Sequence, residues 1–450
     1  MSAVSPLPQR RILSLIFLTV FMDIVGFSII IPLFPHLLEH YIKTEGSAGT
    51  LIGTLSSAAE WLGGDTVFKK TVLFGGLLST LYSLLQFIFA PIWGSLSDRL
   101  GRRSILTLTL LGSALSYVLW IFAARFWVVV LTRLICGTMA GNIAVASAAA
   151  ADVTDEKERT RGMAVVGIAI GLGFLCGPVI GGLAAPTDTA TSEVVTSALG
   201  LNLFSRPAMI AAFMSVSNFI LVLWFFPETL PVEKRAKADA ARPSIFDLAT
   251  VKSAEVRKTS LANLIYQIGF TGMENTIVFL TLALFAYAPK DNAMLFLFNG
   301  ISLVLAQGFA RRVVQKVGQR RVILGGFITA AAAFLLVASI PAPVSPGMAA
   351  AWTKPVFFIG MAMISFATGL ILPSVSALVS LYSDATEQGR NLGILRSAGS
   401  LARVVGPISA ALIYFHFGHH FWVYVIAALL MIPAFLVIKN LPEPTSHSGS

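Results

Sequence analysis

Apolar runs of about twenty residues alternate with short polar stretches along the whole chain. They lie near 12–35, 72–93, 105–124, 126–151, 162–185, 204–226, 259–288, 292–310, 321–341, 354–382, 391–415 and 419–438. A helix rises 1.5 Å per residue, so each run is long enough to cross a hydrocarbon layer of roughly 30 Å. The pattern predicts an all-α membrane protein with twelve transmembrane helices. The first run is too long for a signal-peptide core, carries Asp23 near its middle and is followed by no small-residue cleavage site, so it is expected to remain as span one.

The longest polar stretch, FPETLPVEKRAKADAARPSIFDLATVKSAEVRK at 226–258, follows the sixth run. It divides the spans six and six: a lobe at 1–226, a cytoplasmic linker at 227–258, a second lobe at 259–440 and a tail at 441–450. The halves share a repeat. Arg161-Gly162-Met163 precedes Gly177-Pro178 by the spacing that separates Arg390-Asn391-Leu392 from Gly406-Pro407, an offset of 229 residues in both cases. Two pseudo-symmetric six-helix lobes are implied, with a binding site expected between them near mid-membrane.

Hydrophobic residues make up 56% of the chain and charged residues 12%, against roughly 25% charged in soluble domains. Lys and Arg concentrate in alternate loops, including 99–103, 157–161, 234–258 and 311–321. The positive-inside rule places both termini in the cytoplasm of a multi-pass protein of the plasma membrane or an endomembrane. That topology and contact with anionic inner-leaflet lipid account for the net charge of +10 without nucleic acid. Cys136 and Cys176 both fall inside spans, leaving no loop disulfide. No Gly-Lys dipeptide is present, which excludes a P-loop ATPase, and H-E-x-x-H and G-x-S-x-G are absent. The expectation is a protein that is not an enzyme, takes no cofactor or metal, and is driven by a proton gradient.

Five charges lie inside the spans: Asp23, Arg133, Glu274, Arg396 and Arg403. An ionised group at mid-bilayer costs about 2.5 kcal/mol or more even on insertion scales, so each calls for a purpose. Glu274 stands alone in an apolar stretch, where a neutral carboxyl is cheaper to bury than an ionised one. It is the first candidate for proton carrier, with substrate contact or a hydrogen bond within span seven as the alternative. Arg396 and Arg403 are seven residues apart, two turns along one face of span eleven. Arg396 is shallow enough to snorkel; Arg403 is placed to face a cavity. Together the five charges sum to +1, which suits an amphipathic organic anion or zwitterion better than a simple cation. Tyr82, Gln86, Tyr117, Asn142, Tyr266, Gln267 and Asn299 are further candidates to line the cavity, ordinary helix packing being the alternative for each.

Four motifs carry a resemblance. GSLSDRLGRRS at 94–104, LTRLICGTMAG at 131–141, GFLCGPVIGG at 173–182 and MDIVGFSIIIPLFP at 22–35 resemble the major facilitator superfamily, in its twelve-span drug:proton antiporter branch and nearest to eukaryotic tetracycline-transporter-like proteins. The resemblance is dense over spans one to five and rests on layout beyond; Cys136 stands where a glutamine is common. It implies a monomeric secondary transporter, a proton-coupled antiporter exporting small drug-like molecules by alternating access. A facilitator or symporter for a small metabolite, or a non-transporting membrane partner, are the alternatives.

The resemblance also assigns roles. It implies a buried salt bridge between Asp23 and Arg133, read either as proton-coupling, with protonation of Asp23 releasing Arg133 and biasing the lobes, or as a lock between spans one and four. It makes Gly94, Asp98, Arg99, Gly101, Arg102 and Arg103, with Asp152, a conformational latch, in which Asp98 caps span eleven near Gly389 and Arg102 or Arg103 reaches Asp152; a solvated turn is the alternative. Gly173, Gly177, Pro178, Gly181 and Gly182 form an antiporter motif, read either as a kinked span that restricts leakage or as small residues admitting close helix contact. His36, His40, His416, His419 and His420 collect near the non-cytoplasmic face. LIGTLSSAAEWLGG within 37–71 predicts a short interfacial helix with Leu51, Ile52, Leu55 and Trp61 toward the membrane.

Overall fold

The structure is a computed structural model that describes residues 8–46, 49–154, 159–185, 201–231, 235, 251–342, 347–383 and 388–442. Among these, twelve helical spans are long and apolar enough to cross a membrane: span one Gln9–Glu45, two Val67–Leu100, three Arg102–Ile121, four Phe126–Asp152, five Val165–Ala184 and six Ser205–Phe225, then seven Ala254–Phe285, eight Pro289–Val317, nine Gln319–Ala338, ten Thr353–Leu381, eleven Arg390–Phe417 and twelve Phe421–Lys439. Most of the expected linker, and the tail from 443, lie outside the described residues.

Two spans are interrupted, each for a local reason. Span one passes through a 3-10 turn at Ile31–Leu33 before continuing as Phe34–Glu45; Pro32 and Pro35 lack the N–H groups an unbroken helix needs there. Span four breaks at Ala140-Gly141, between helices Phe126–Met139 and Asn142–Asp152. Trp93 wedges into the gap: a Cβ on Gly141 would lie 2.5 Å from Trp93 Cβ, and the indole Nε1 donates to the Thr138 carbonyl. The connections from span two to three and from eight to nine are single glycines, Gly101 at φ +103° and Gly318 at φ +82°. Both have ψ near the extended value, at 151° and 161°, a region essentially reserved for glycine.

The repeat is visible in the packing. Span one packs on five and six, and span three on four and six; span seven packs on eleven and twelve, and span nine on ten and twelve. The chain forms two compact units. The first comprises Met1–Leu55, Leu84–Arg242 and Pro289–Ala293, and the second Ser56–Ser83, Pro243–Ala288 and Met294–Ser450. The outer half of span two therefore belongs with the second unit, and the first turn of span eight with the first. Large apolar side chains such as Leu115, Phe213, Trp224 and Leu305 are exposed, as a lipid-facing surface requires.

The short helix of the outer loop is present at Leu51–Trp61. Trp61 is 87% exposed and Leu51 is also open, but Ile52 is buried, so the helix turns part of the face expected to meet the membrane onto protein.

Candidate functional site

In the first unit the interior charges do not meet as expected. Among the described residues no ion pair joins Asp23 to Arg133. Asp23 Oδ1 accepts instead from Asn142 Nδ2 at 2.9 Å, and the Asn142 carbonyl oxygen accepts from the Thr109 hydroxyl. Thr109 and Asn142 are buried, so the amide is clamped from span three and aims its N–H at span one. Arg133 lies over the ring of Trp120, 5.5 Å from its centroid. It is 2% exposed, and its Nε and Nη2 have no hydrogen-bond partner. The physical reason is rotational: the break at Gly141 presents Asn142 to Asp23 while Arg133, in the helix before the break, turns onto an aromatic face. A cation–π contact recovers part of the cost of burial, worth about 2 kcal/mol when desolvated.

In the second unit spans seven and eleven come together almost without side chains between them. A Cβ on Gly406 would fall on Thr271 Oγ1, and one on Gly272 would lie 3.0 Å from Ala410 Cβ. Thr271 Oγ1 donates to the Ala402 carbonyl at 3.0 Å. Glu274 and Arg403 flank this crossing. The same turn of span two is bonded to the chain neighbour of each: Ser79 Oγ donates to Asn275 Oδ1 at 2.5 Å and Thr80 Oγ1 to the Val404 carbonyl at 3.4 Å. Arg403 is the charged group that acts on Glu274 through space, and Tyr82 is within electrostatic reach of Arg403. Arg403 Nη2 also donates to Ser400 Oγ at 3.3 Å. Two turns away Arg396 is exposed. Between the arginines the Gln267 amide packs on Gly399, where a Cβ would meet its Nε2 at 2.9 Å.

Several of the cavity candidates are buried among neighbouring helices. Tyr266 is fully buried with its hydroxyl 2.7 Å from Thr368 Oγ1. Tyr117 is buried beside Gly26, and Asn142 serves Asp23. Tyr82 is nearly buried, while Gln86, Gln267 and Asn299 are part-exposed.

At one end of the first unit the turn after span two is tied down on three sides. Arg102 pairs with Asp98, reaches Asp152 Oδ2 with Nε at 2.8 Å and Ser97 Oγ with Nη1 at 2.8 Å. Its backbone N–H donates to Glu228 Oε1 at 2.9 Å, and Glu228 Oε2 lies 3.2 Å from Arg235 Nη2. Arg103 donates to the Leu223 carbonyl at 2.6 Å rather than to Asp152. Gly94 lends its carbonyl to Ser97 Oγ at 2.7 Å; Arg99 lies in the last turn of the helix. The side-chain surroundings of Gly389, which Asp98 is expected to cap, are outside the described residues.

The span-five glycines bring backbone against backbone. A Cβ on Gly173 would meet Ile24 at 2.6 Å, one on Gly177 would fall on Ser28 Oγ, one on Gly181 on the Ile29 carbonyl, and one on Gly182 on the Pro289 carbonyl. Ser28 Oγ donates to the Gly173 carbonyl at 3.2 Å. Pro178 stays within an unbroken helix.

A family model described as Major Facilitator Superfamily matches residues 16–290 and 259–450. The chain belongs to the major facilitator superfamily. Within it, the human protein named major facilitator superfamily domain-containing protein 10 is 30% identical over 96% of this chain and 93% of its own length. Tetracycline resistance protein, class B, of Escherichia coli is 29% identical over 88% and 86%. Among solved structures, the crystal structure of the human organic anion transporter MFSD10 (TETRAN) superposes with a TM-score of 0.73 at 28% identity, covering 96% of this chain and all of that one. The chain is a multi-pass superfamily transporter with twelve spans, as its motifs led one to expect.

Sequence reasoning missed Thr109, Trp120, Ser79, Asn275, Glu228 and Arg235. Glu228 left one signal: FPETLP sets a carboxylate just past a span, on the side where span three begins with backbone N–H groups that have no partner in their own helix. Thr109 and Ser79 left none, since a hydroxyl in a span usually bonds its own helix.

Proposed function

We propose that this chain is a proton-coupled secondary transporter of amphipathic organic anions or zwitterions, working by alternating access, with export in exchange for protons as the direction the span-five motif implies. One observation carries the reading: Arg396 and Arg403 share a face of span eleven, and among the described residues neither has a carboxylate within the 4.0 Å of an ion pair. Neither cation is held in an ion pair, and a substrate acid group that bonds to either one offsets the cost of keeping it inside a membrane protein. The human organic anion transporter that superposes over the whole chain supports the class, and the tetracycline resistance relatives support export.

In this reading Glu274 carries the proton, beside Arg403. Asp23, held by Asn142 and within the same polar cluster as Arg133, is a second protonatable site that biases the first unit. Gln267, between the two arginines, offers hydrogen bonds to the polar body of a substrate. The protein works as a monomer in the plasma membrane or an endomembrane, both termini cytoplasmic, with small organic solutes, protons and lipid as its partners. Release of an organic anion from preloaded proteoliposomes, with and without an imposed pH gradient, tests it. Gradient-dependent release in the native protein and its loss in Glu274→Gln is the expected result. Full gradient-driven release by Glu274→Gln rules out Glu274 as the carrier.

A further inference from the structure

Resting on the proton-coupled, organic-anion part of that reading and replacing its exchange direction for a net anion, we propose that Arg403 is the shared counter-ion of Glu274 and of the substrate's acid group, so that an anion and a proton are carried in the same direction. The sequence motif implied exchange; for a net anion the geometry of this site gives the opposite sign.

The argument starts from the count of charges around the crossing of spans seven and eleven. Glu274 is within electrostatic reach of Arg403 from span eleven and of Tyr266 on its own helix, and Tyr82 from span two is within reach of Arg403. Spans ten and twelve, which also pack on span seven, bring no charged residue inward: span ten carries only Lys354 at its start and span twelve only Lys439 at its end. One guanidinium therefore serves the whole neighbourhood. In the empty site Arg403 balances an ionised Glu274. An anion arriving on Arg403 takes that charge for itself, and two carboxylates competing for one cation in a poorly solvated site cannot both remain ionised at low cost. The loaded site holds the anion with Glu274 protonated. The unloaded site holds neither.

Ser79–Asn275, Thr80–Val404 and Thr271–Ala402 make the competition hard to escape. These three bonds hold the chain neighbours of Glu274 and Arg403 to one turn of span two and spans seven and eleven to each other, so the two positions stay side by side. The step balances simply: water on the side where the anion enters gives a proton to the Glu274 carboxylate, and the carboxyl returns it to water on the side where the anion leaves. Arg396, exposed and two turns nearer the cytoplasmic end, receives the anion without any carboxylate beside it and so attracts it without involving the proton. A zwitterion that sets an ammonium against Glu274 instead displaces the proton and is exchanged for it.

The test uses the full-length protein in liposomes with the membrane potential clamped, and radiolabelled naphthalene-2-sulfonate as the probe. That molecule is anionic at every pH used, so its own protonation cannot imitate cotransport. An outside-acid gradient is expected to drive its accumulation above the level at equal pH, by up to about tenfold per pH unit for one proton per anion. Glu274→Gln is expected to lose this gradient-driven accumulation while retaining sulfonate-for-sulfonate exchange, and Glu274→Asp to restore it. Accumulation driven by an inside-acid gradient overturns the inference and leaves the proton-coupled reading standing. Saturable uptake indifferent to the gradient overturns both. Absence of saturable uptake by correctly inserted protein overturns the organic-anion reading from which the inference starts.

Discussion

Two groups of charges in this molecule are treated in opposite ways. At the end of the first unit where span two turns into span three, Asp98, Arg102, Asp152, Glu228 and Arg235 are joined by three ion pairs and by hydrogen bonds to Ser97 and to backbone. Within the spans, Asp23, Arg133, Glu274, Arg396 and Arg403 form no ion pair among the described residues. Electrostatics alone would order them the other way, since water screens the first group and hydrocarbon leaves the second at full cost. Charges paired where pairing is cheap act as fasteners. Charges left without an ion pair where that is expensive are the ones the proposed function assigns to protons and substrate.

The largest expected effect tests the fasteners. Arg102→Ala removes a nearly buried cation from two carboxylates and leaves both without it, a loss of about 3–5 kcal/mol for a broken buried pair. Thermal unfolding in detergent should show the loss directly. Arg102→Lys should recover only part of it, because a point charge cannot face Asp98, Ser97 and Asp152 at once as the guanidinium fork does. A loss under about 1 kcal/mol would mean the turn is merely solvated.

A buried titratable group that avoids charge altogether gives the next effect. His420 sits between spans eleven and twelve, buried, with Nε2 unpartnered. Burial pushes its imidazole down from 6.5 to about 4, the neighbouring His419 adds to this, and hydrogen bonds with the Val337 and Ile340 backbone oppose it. The folded group thus binds its proton later than the unfolded one as pH falls. Its contribution is complete above pH 6.5, declines between 6.5 and 4 and is gone below, a total of about 3 kcal/mol. Unfolding measured across that window should show the decline, and His420→Gln should flatten it. An unchanged slope would place a charged His420 in the fold.

Arg133 sharpens the comparison from the other side. A cation whose Nε and Nη2 lack acceptors contributes little to stability, so Arg133→Met should leave the protein as stable or up to about 2 kcal/mol more so. Proton-linked transport should fall at the same time. Destabilisation by several kcal/mol would show that Arg133 is a fastener after all.

The twelve spans were legible because an apolar run of twenty residues has few other fates, and the repeat was legible because Gly177-Pro178 and Gly406-Pro407 keep their spacing. The extent of the helices was less so: span two runs to Leu100, past the apolar residues and through the charged ones that pair around Arg102. Partners were legible least. Which way Arg133 points depends on the break that Trp93 forces into span four, 40 residues away in sequence. Asn142 was visible as a polar residue in a span, yet nothing in its spacing distinguishes a cavity amide from one clamped by Thr109. The charges of span eleven were readable because seven residues always return to one face of a helix.

The smallest effect is a difference between two glycines that occupy the same position in the two halves. Gly101 and Gly318 both have a backbone conformation that an L side chain adopts at a cost of about 1–3 kcal/mol. Around Gly318 nothing lies within 4 Å of an added Cβ, whereas around Gly101 that Cβ would fall on Glu228 Oε2 and come within 2.7 Å of Arg235 Nη2. Gly318→Ala therefore reports the backbone cost alone, and Gly101→Ala reports it together with the displacement of Glu228 from the Arg102 N–H, a hydrogen bond worth about 1 kcal/mol. Gly101→Ala should be the less stable of the two by about that amount. In a Glu228→Ala background the obstruction is gone, and the cost of Gly101→Ala should drop to that of Gly318→Ala, a coupling that a double-mutant cycle measures. Equal costs in both backgrounds would mean that the start of the linker does not hold the turn, and that the first half fastens its loop no more firmly than the second.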